Sequence, residues 1–214
     1  MAARTVLFDL DGTLVDSAAD LATAVNLTRG DFGLPPKSLP EVVAAIGNGV
    51  RKLLERTIPE YAAGRMEELL AHQRRHYGEH LLDQTALYPG VMETLRRLAD
   101  AGCRLGVVTN KPAAATRAIL EGLGIRPLFG AVVGGGDCAK LKPDPEPLFL
   151  AASQMGTRLT PDDWIVGDAF TDLGAGRRAG IHRCFCTYGF GRQGDETYDL
   201  AISRMEEFVS AVVR

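Results

Sequence analysis

Five short apolar runs, each followed by a helical pattern, constrain this chain more than any other feature. They are Thr5–Phe8, Arg104–Thr109, Ala131–Gly134, Trp164–Asp168 and Arg183–Tyr188. Runs this short, rich in β-branched residues and bounded by glycine or acidic residues, are strand signals. Between them lie helical patterns. Val91, Leu95 and Leu98 follow Pro89 and precede Gly102. Further helices are expected near 112–123, 147–155 and 173–179. A last helix carries Met205, Phe208, Val209 and Val212 on one side, with Ser203 and Glu206 at capping-box spacing. Strands alternating with helices form a parallel sheet covered on both faces. The expected fold is therefore α/β, a Rossmann-like doubly wound parallel sheet.

The first strand is separated from the rest by a long segment with no strand signal. Leu21, Val25 and Thr28 recur at helical spacing, as do Val50, Leu53, Leu54 and Thr57, and later Met66, Leu69 and Leu70. Ser38 and Glu41 have capping-box spacing ahead of Val42, Val43 and Ile46. The chain thus divides into an α/β core, residues 1–15 with 83–214, and an inserted all-helical cap domain, residues 16–82. Ligands of open α/β sheets bind outside the carboxyl ends of the strands, which is where such a cap would sit.

Composition excludes several classes. A formal charge of -3, with no run of Lys or Arg, leaves no nucleic-acid footprint. The opening MAARTVLFDLD is interrupted by Asp9 and Asp11, so it reads as neither a signal peptide nor a membrane span. Four cysteines in 214 residues, with no CxxC, suit reduced thiols in a cytoplasmic protein better than a disulfide scaffold. The oligomeric state, monomer or homodimer, is open.

The chemistry concentrates at strand ends. Phe8-Asp9-Leu10-Asp11-Gly12-Thr13 places two carboxylates on one side of an extended segment, roughly 6–7 Å apart. Gly12 permits the sharp turn that ends the strand. Two buried carboxylates need a cation or a shared proton, and Mg²⁺ prefers such oxygens. For one acidic pair alone, a solvated strand end is the commoner outcome. Three more elements agree with the functional reading. Thr109-Asn110-Lys111 offers hydroxyl, amide and backbone donors suited to phosphate. Lys142 is followed by Pro143 and Pro145 in KLKPDP, which reads as a lysine held in place or as a charged loop. Asp168 ends the strand WIVGD, and Asp172 shares its face if a helix starts there. Coincidence at three separate strand tips weakens the bland alternatives.

These motifs resemble those of the haloacid dehalogenase superfamily of phosphotransferases over nearly the whole chain. DLDGTLVDS resembles the nucleophile motif, VVTNKP the Thr/Ser motif, KPDPEP the lysine motif and VGDAFTD the acidic motif. IGNGVRKLLERT, TNKP, the KPDPEPL segment and the late TYGFG are similar to the bacterial phosphoglycolate phosphatases within that superfamily. The resemblance implies that Asp9 attacks phosphorus to form an aspartyl phosphate. It implies that Asp11 protonates the leaving alcohol and then activates water. Mg²⁺ would be held by the Asp9 carboxylate, the Asp11 backbone carbonyl and Asp168. Thr109, Asn110 and Lys142 would hold the phosphoryl oxygens, with Asp172 orienting Lys142 or a metal-bound water. The partner would be a small phosphorylated metabolite, first 2-phosphoglycolate, otherwise a sugar phosphate or pyrophosphate. A phosphosugar mutase is the alternative transferase. Asp11 argues against a carbon–halogen hydrolase, and the intact acidic set against a phosphate sensor without turnover. In the cap, Gly47 and Gly49 either form a loop that closes over the site or merely separate two helices. In the first case Arg51 just behind them, or Lys52, suits a substrate carboxylate.

Three other patterns carry less. Gly189-Phe190-Gly191-Arg192-Gln193-Gly194 fits a dinucleotide pattern, but no apolar helix opens at its third glycine. His72, His76 and His80 step along one helix, yet no Cys or Asp clearly completes a metal site. Asn26-Leu27-Thr28 is a glycosylation sequon inside a helical pattern with no secretory signal ahead of it.

Overall fold

The computed structural model describes residues 4–212; residues 1–3 and 213–214, the outer ends of the expected core segments, lie outside the described residues. The chain begins with strand β1 (Thr5–Phe8) and a two-residue strand β2 (Val15–Asp16). Four helices follow: α1 (Ala18–Asp31), α2 (Leu39–Val43), α3 (Val50–Thr57) and α4 (Pro59–Glu79), the last bent at Arg65. Strand β3 (Ala86–Leu87) pairs antiparallel with β2, tying the two ends of the helical block together. Then come α5 (Val91–Asp100), β4 (Arg104–Pro112), α6 (Ala113–Gly122), β5 (Ala131–Gly135) and α7 (Glu146–Gln154). The chain finishes with β6 (Trp164–Gly167), α8 (Phe170–Ala179), β7 (His182–Cys186), β8 (Leu200–Ile202) and α9 (Glu206–Val212).

The main sheet has the order β5-β4-β1-β6-β7-β8, and every pairing in it is parallel. This is the expected doubly wound sheet. The middle strands of the sheet are largely apolar because both faces are covered. Val6 and Phe8 enter one core cluster with α5 and α9, while Leu7 enters the other with α7 and α8. The same alternation places Val107 and Val166 on the first face and Val108 and Ile165 on the second. Phe8 is fully enclosed and meets Phe129 and Phe208 edge to face. Truncating a side chain so enclosed costs about 3–5 kcal/mol. The helical cap has its own apolar clusters, one around Leu21, Val25, Leu53 and Tyr77, another around Phe32, Leu54, Ile58 and Leu69.

Some local expectations are corrected. Strand β4 continues past the expected end at Thr109, through Asn110 and Lys111 to Pro112. Its register against β5 shifts between Val108 and Pro112, so these residues bulge out of the ladder. Helix α8 starts at Phe170, three residues before Leu173. Ser203 pairs with Glu207 rather than Glu206, because a bend precedes α9 and brings Glu207 round to the Ser203 amide. Glu206 instead lies over Gly90, where any β-carbon would fall 2.1 Å from its carboxyl carbon. Strand β8 and the β2–β3 ribbon carry too few residues to show a period.

Candidate active site

Strand β1 is central, and the chain leaves it toward β4 on one side and β6 on the other. Such a reversal opens a crevice at the carboxyl ends. Asp9 follows β1 there, anchored by its amide to the Val166 carbonyl at 2.9 Å. Thr109 arrives from β4 and Asp168 from the tip of β6, both buried. A cavity of about 370 Å³ opens above them, lined by Asp9, Asp11, Thr109, Asn110, Lys142 and Asp168 below and by cap residues above.

Lys142 is buried in the centre of this cluster. Its ammonium donates to Asp9 Oδ1 at 2.9 Å, to Asp172 Oδ1 at 2.6 Å and to the Val108 carbonyl. Burial alone would lower its pKa, but the Asp172 and Asp9 carboxylates outweigh that and raise it. Lys142 therefore stays charged. The Asn110 side chain explains how it is held. Its amide donates to the Lys142 carbonyl at 2.9 Å, and its oxygen accepts from the Lys142 amide at 2.9 Å. The same amide donates to the Gly47 carbonyl at 3.2 Å. The side chain of Asn110, an expected phosphate-binding residue, thus braces Lys142 and the cap loop.

The oxygens of Asp9, Asp168 and Asp172 lie within 4.8 Å of one another. Burial pushes the Asp168 carboxyl well above its ordinary range, and the Asp9 and Asp172 charges push it further. The Asp172 carboxyl is pushed up to about 6 by burial, against the pull of Lys142. Three acidic groups against one ammonium leave surplus negative charge. That surplus, presented by hard oxygen ligands, fits a divalent cation of the magnesium type. Both Asp172 oxygens are engaged, by Lys142 and by the Ala169 amide at 3.1 Å, whereas Asp9 gives one oxygen to Lys142 and Asp168 one to the Gly191 amide, so Asp9 and Asp168 are the better placed to hold it.

Close backbone approaches shape the acidic pocket. Gly12 has φ +79°, and a β-carbon there would fall 2.0 Å from Asp168 Oδ2. The Gly191 amide donates to Asp168 Oδ2 at 2.7 Å. At Gly189 a β-carbon would fall 2.3 Å from the Gly12 carbonyl. Two of the glycines in the apparent dinucleotide pattern thus serve the acidic site.

Asp11 lies in the same cavity but turns away from the acidic cluster. Lys111 donates to its Oδ1 at 2.8 Å and Oδ2 at 3.0 Å, and Ser17 donates to Oδ1 at 2.6 Å. Lys111 also donates to the Tyr77 hydroxyl from α4. Burial would lower the Lys111 pKa, yet Asp11 and Tyr77 raise it to about 12. Sequence reasoning named Lys111 only within the phosphate-suited run and gave Tyr77 no task. A lysine at a strand end reads as solvated, and only the fold brings Tyr77 over it.

Of the cap residues, Gly47 and Gly49 line the cavity with φ +111° and +84°. Arg51 does not meet it. Its guanidinium pairs with Glu67 at 2.7 Å on the outer surface, because α3 turns that side toward α4. Lys52 pairs with Glu55, also in the open. Away from the crevice, Asp31 from the end of α1 joins His72 at 2.5 Å and His76 at 2.6 Å, an acidic partner the spacing of the histidines had not revealed. Arg75 pairs with the same Asp31 oxygen at 2.9 Å, and His80 with Asp83.

A parallel sheet whose central strand runs into Asp9, with a buried lysine and an acidic cluster at the same edge, is the arrangement of a hydrolase. The family model for haloacid dehalogenase-like hydrolases matches residues 6–186, and the chain belongs to that family. It is a phosphatase. The phosphoglycolate phosphatase of Salmonella paratyphi A is 39% identical over 209 residues, covering 87% of this chain and 82% of its own. That of Cereibacter sphaeroides strain ATCC 17025 is 40% identical over 189 residues, covering 86% and 85%. Among solved structures, a predicted phosphoglycolate phosphatase from Haemophilus somnus 129PT superposes with a TM-score of 0.89 at 31% identity, covering 99% of this chain and 98% of that one.

Proposed function

We propose that this phosphatase is a Mg²⁺-dependent phosphomonoester hydrolase acting through an aspartyl phosphate on Asp9, with 2-phosphoglycolate as substrate, in the cytoplasm. Residues 16–82 act as its lid. The observation that carries the reading is Asp9 itself, held by Lys142 at the floor of a cavity beside Asp168. Relatives named phosphoglycolate phosphatase support the choice of substrate.

The residues divide the work as follows. One Asp9 oxygen rests on Lys142, which leaves the other to attack phosphorus. As the new oxygen–phosphorus bond forms, the bond to the leaving oxygen breaks, and Asp11 supplies the proton that oxygen needs. A water then attacks phosphorus, giving its proton to Asp11, and the Asp9 carboxylate is released with inorganic phosphate. Lys142, the Thr109 hydroxyl and the Asn110 backbone amide would hold the phosphoryl oxygens, where donors stabilise developing charge. Asp9, the Asp11 backbone carbonyl and Asp168 would hold Mg²⁺, which when bound neutralises charge on the phosphoryl group.

Phosphate release over a panel of phosphorylated metabolites, with Mg²⁺ and with chelator, tests this. The expected result is Mg²⁺-dependent turnover with 2-phosphoglycolate preferred. Preference for a sugar phosphate or pyrophosphate would overturn the substrate, and full activity after chelation would overturn the metal.

A further inference from the structure

The phosphoryl-binding groups cannot tell one leaving group from another, and the cap cations Arg51 and Lys52 point elsewhere. Among the described residues, two cations besides Lys142 line the cavity, Arg74 on α4 and Lys111, and Lys111 is the one in contact with Asp11. Lys111 is 3% exposed, at 2.8 Å from Asp11, with the Tyr77 hydroxyl beside it. If Asp11 protonates the leaving oxygen, that oxygen must come within about 3 Å of it. In 2-phosphoglycolate the carboxylate carbon is two single bonds further on, roughly 2.5 Å. The substrate carboxylate thus falls where Lys111 already holds an anion.

We infer that Lys111 and Tyr77 seat the substrate's carboxylate, and that this carboxylate displaces Asp11 from Lys111 so that the Asp11 side chain turns to the leaving oxygen. This rests on the reading of the site as a hydrolase of carboxylated phosphomonoesters. The driving force is the buried charge on Lys111. Stranding an ammonium in an enclosed site is costly, so Asp11 leaves only when another anion replaces it. A carboxylated substrate makes that exchange, one anion for another. A neutral leaving group does not, and Asp11 stays on Lys111. Selectivity is then exerted on kcat as well as on binding. Tyr77 belongs to α4, so the seat is complete only with the cap in place over the core.

The test uses the enzyme with saturating Mg²⁺ and two substrates of equal size: 2-phosphoglycolate and 2-phosphoglycolamide, an isostere whose leaving group carries no charge. For the wild type the amide should show a kcat lower by about 10- to 100-fold, and a higher KM, the range set by one charge-assisted bond. Lys111→Met should cut kcat/KM for 2-phosphoglycolate by a similar factor. It should raise kcat for the amide above wild type, since Asp11 is no longer held. Tyr77→Phe, which keeps the ring and Lys111, should narrow the acid-to-amide preference by about 3- to 10-fold and stands in if Lys111→Met does not fold. Equal wild-type kcat on both substrates would overturn the seat and leave the hydrolase reading intact. So would an unchanged preference in either variant. Turnover of neither, with some other phosphomonoester hydrolysed, would overturn the substrate assignment and the seat with it.

Discussion

The sheet edge and the cap use charge in opposite ways. At the edge, Lys142 and Lys111 are buried and reach carboxylates 133 and 100 residues away in sequence, Asp9 and Asp11. On the cap, Lys37, Lys52 and Arg65 are partly exposed and pair with glutamates three or four residues along the same segment. Arg51 reaches Glu67 on the neighbouring helix, and both side chains are open to solvent. A buried charge must be matched by the fold, so its partner reports a task. An exposed charge loses little by pairing with whatever is near. The cavity's cations should therefore control chemistry, and the cap's surface cations should not.

The largest effect falls on Asp9. Asp9→Asn should end turnover on every substrate, because it removes the atom that forms the bond to phosphorus. Phosphate release at high enzyme concentration measures it; near-normal turnover would break the covalent reading. Lys142→Ala should follow, with kcat/KM lower by roughly 10²–10³. Circular dichroism must show the fold intact, since the variant leaves Asp9 and Asp172 without their shared ammonium. Unchanged kcat/KM would place Lys142 with the cap lysines.

Legibility divides along the same line. The run from Phe8 to Gly12, the lysine ahead of Pro143 and the strand ending in Asp168 each announce themselves locally, because strand period and turn chemistry lie within a few residues. The Lys111–Asp11–Tyr77 group could not be found this way. Its members come from three elements, and the bulge in β4 that turns Lys111 inward depends on register against β5. Arg51 misled for the complementary reason. A cation behind paired glycines suggests a closing loop, but which side of α3 faces the cavity is set by its packing on α4. Leu53 and Leu54 take the inward side and leave Arg51 outside.

A smaller effect concerns stability. The Asp168 and Asp172 carboxyls have folded-state pKa values raised above the ordinary 3.8, that of Asp172 to about 6. The metal-free fold therefore binds protons that the unfolded chain has already lost. Its stability falls as pH rises through that window, and the loss is complete above it. Asp168→Asn should raise the Tm of the chelated protein at pH 7.5 by a few degrees and flatten the change in Tm between pH 5 and pH 7.5. Mg²⁺ should raise the wild-type Tm and leave the variant nearly unmoved. Calorimetric scans at both pH values decide it. A variant that melts lower than wild type at pH 7.5 without metal would show that the cluster is not under electrostatic strain.

The smallest effect is the sharpest test of the contrast. Arg51→Ala should change kcat/KM for 2-phosphoglycolate by less than about twofold, and its Tm hardly at all. The guanidinium is on the outside of α3, its partner Glu67 is more open still, and neither lines the cavity. For Arg51 to touch substrate, α3 would have to rotate and expose Leu53 and Leu54, which are buried in the two apolar clusters of the cap. Exposing two such side chains costs about 1.5–3 kcal/mol each, more than one charge-assisted contact returns. A loss of ten-fold or more on 2-phosphoglycolate, with an uncharged phosphate ester unaffected, would mean that the cap repacks on closing. Arg51, rather than Lys111, would then be the cation that reads the carboxylate.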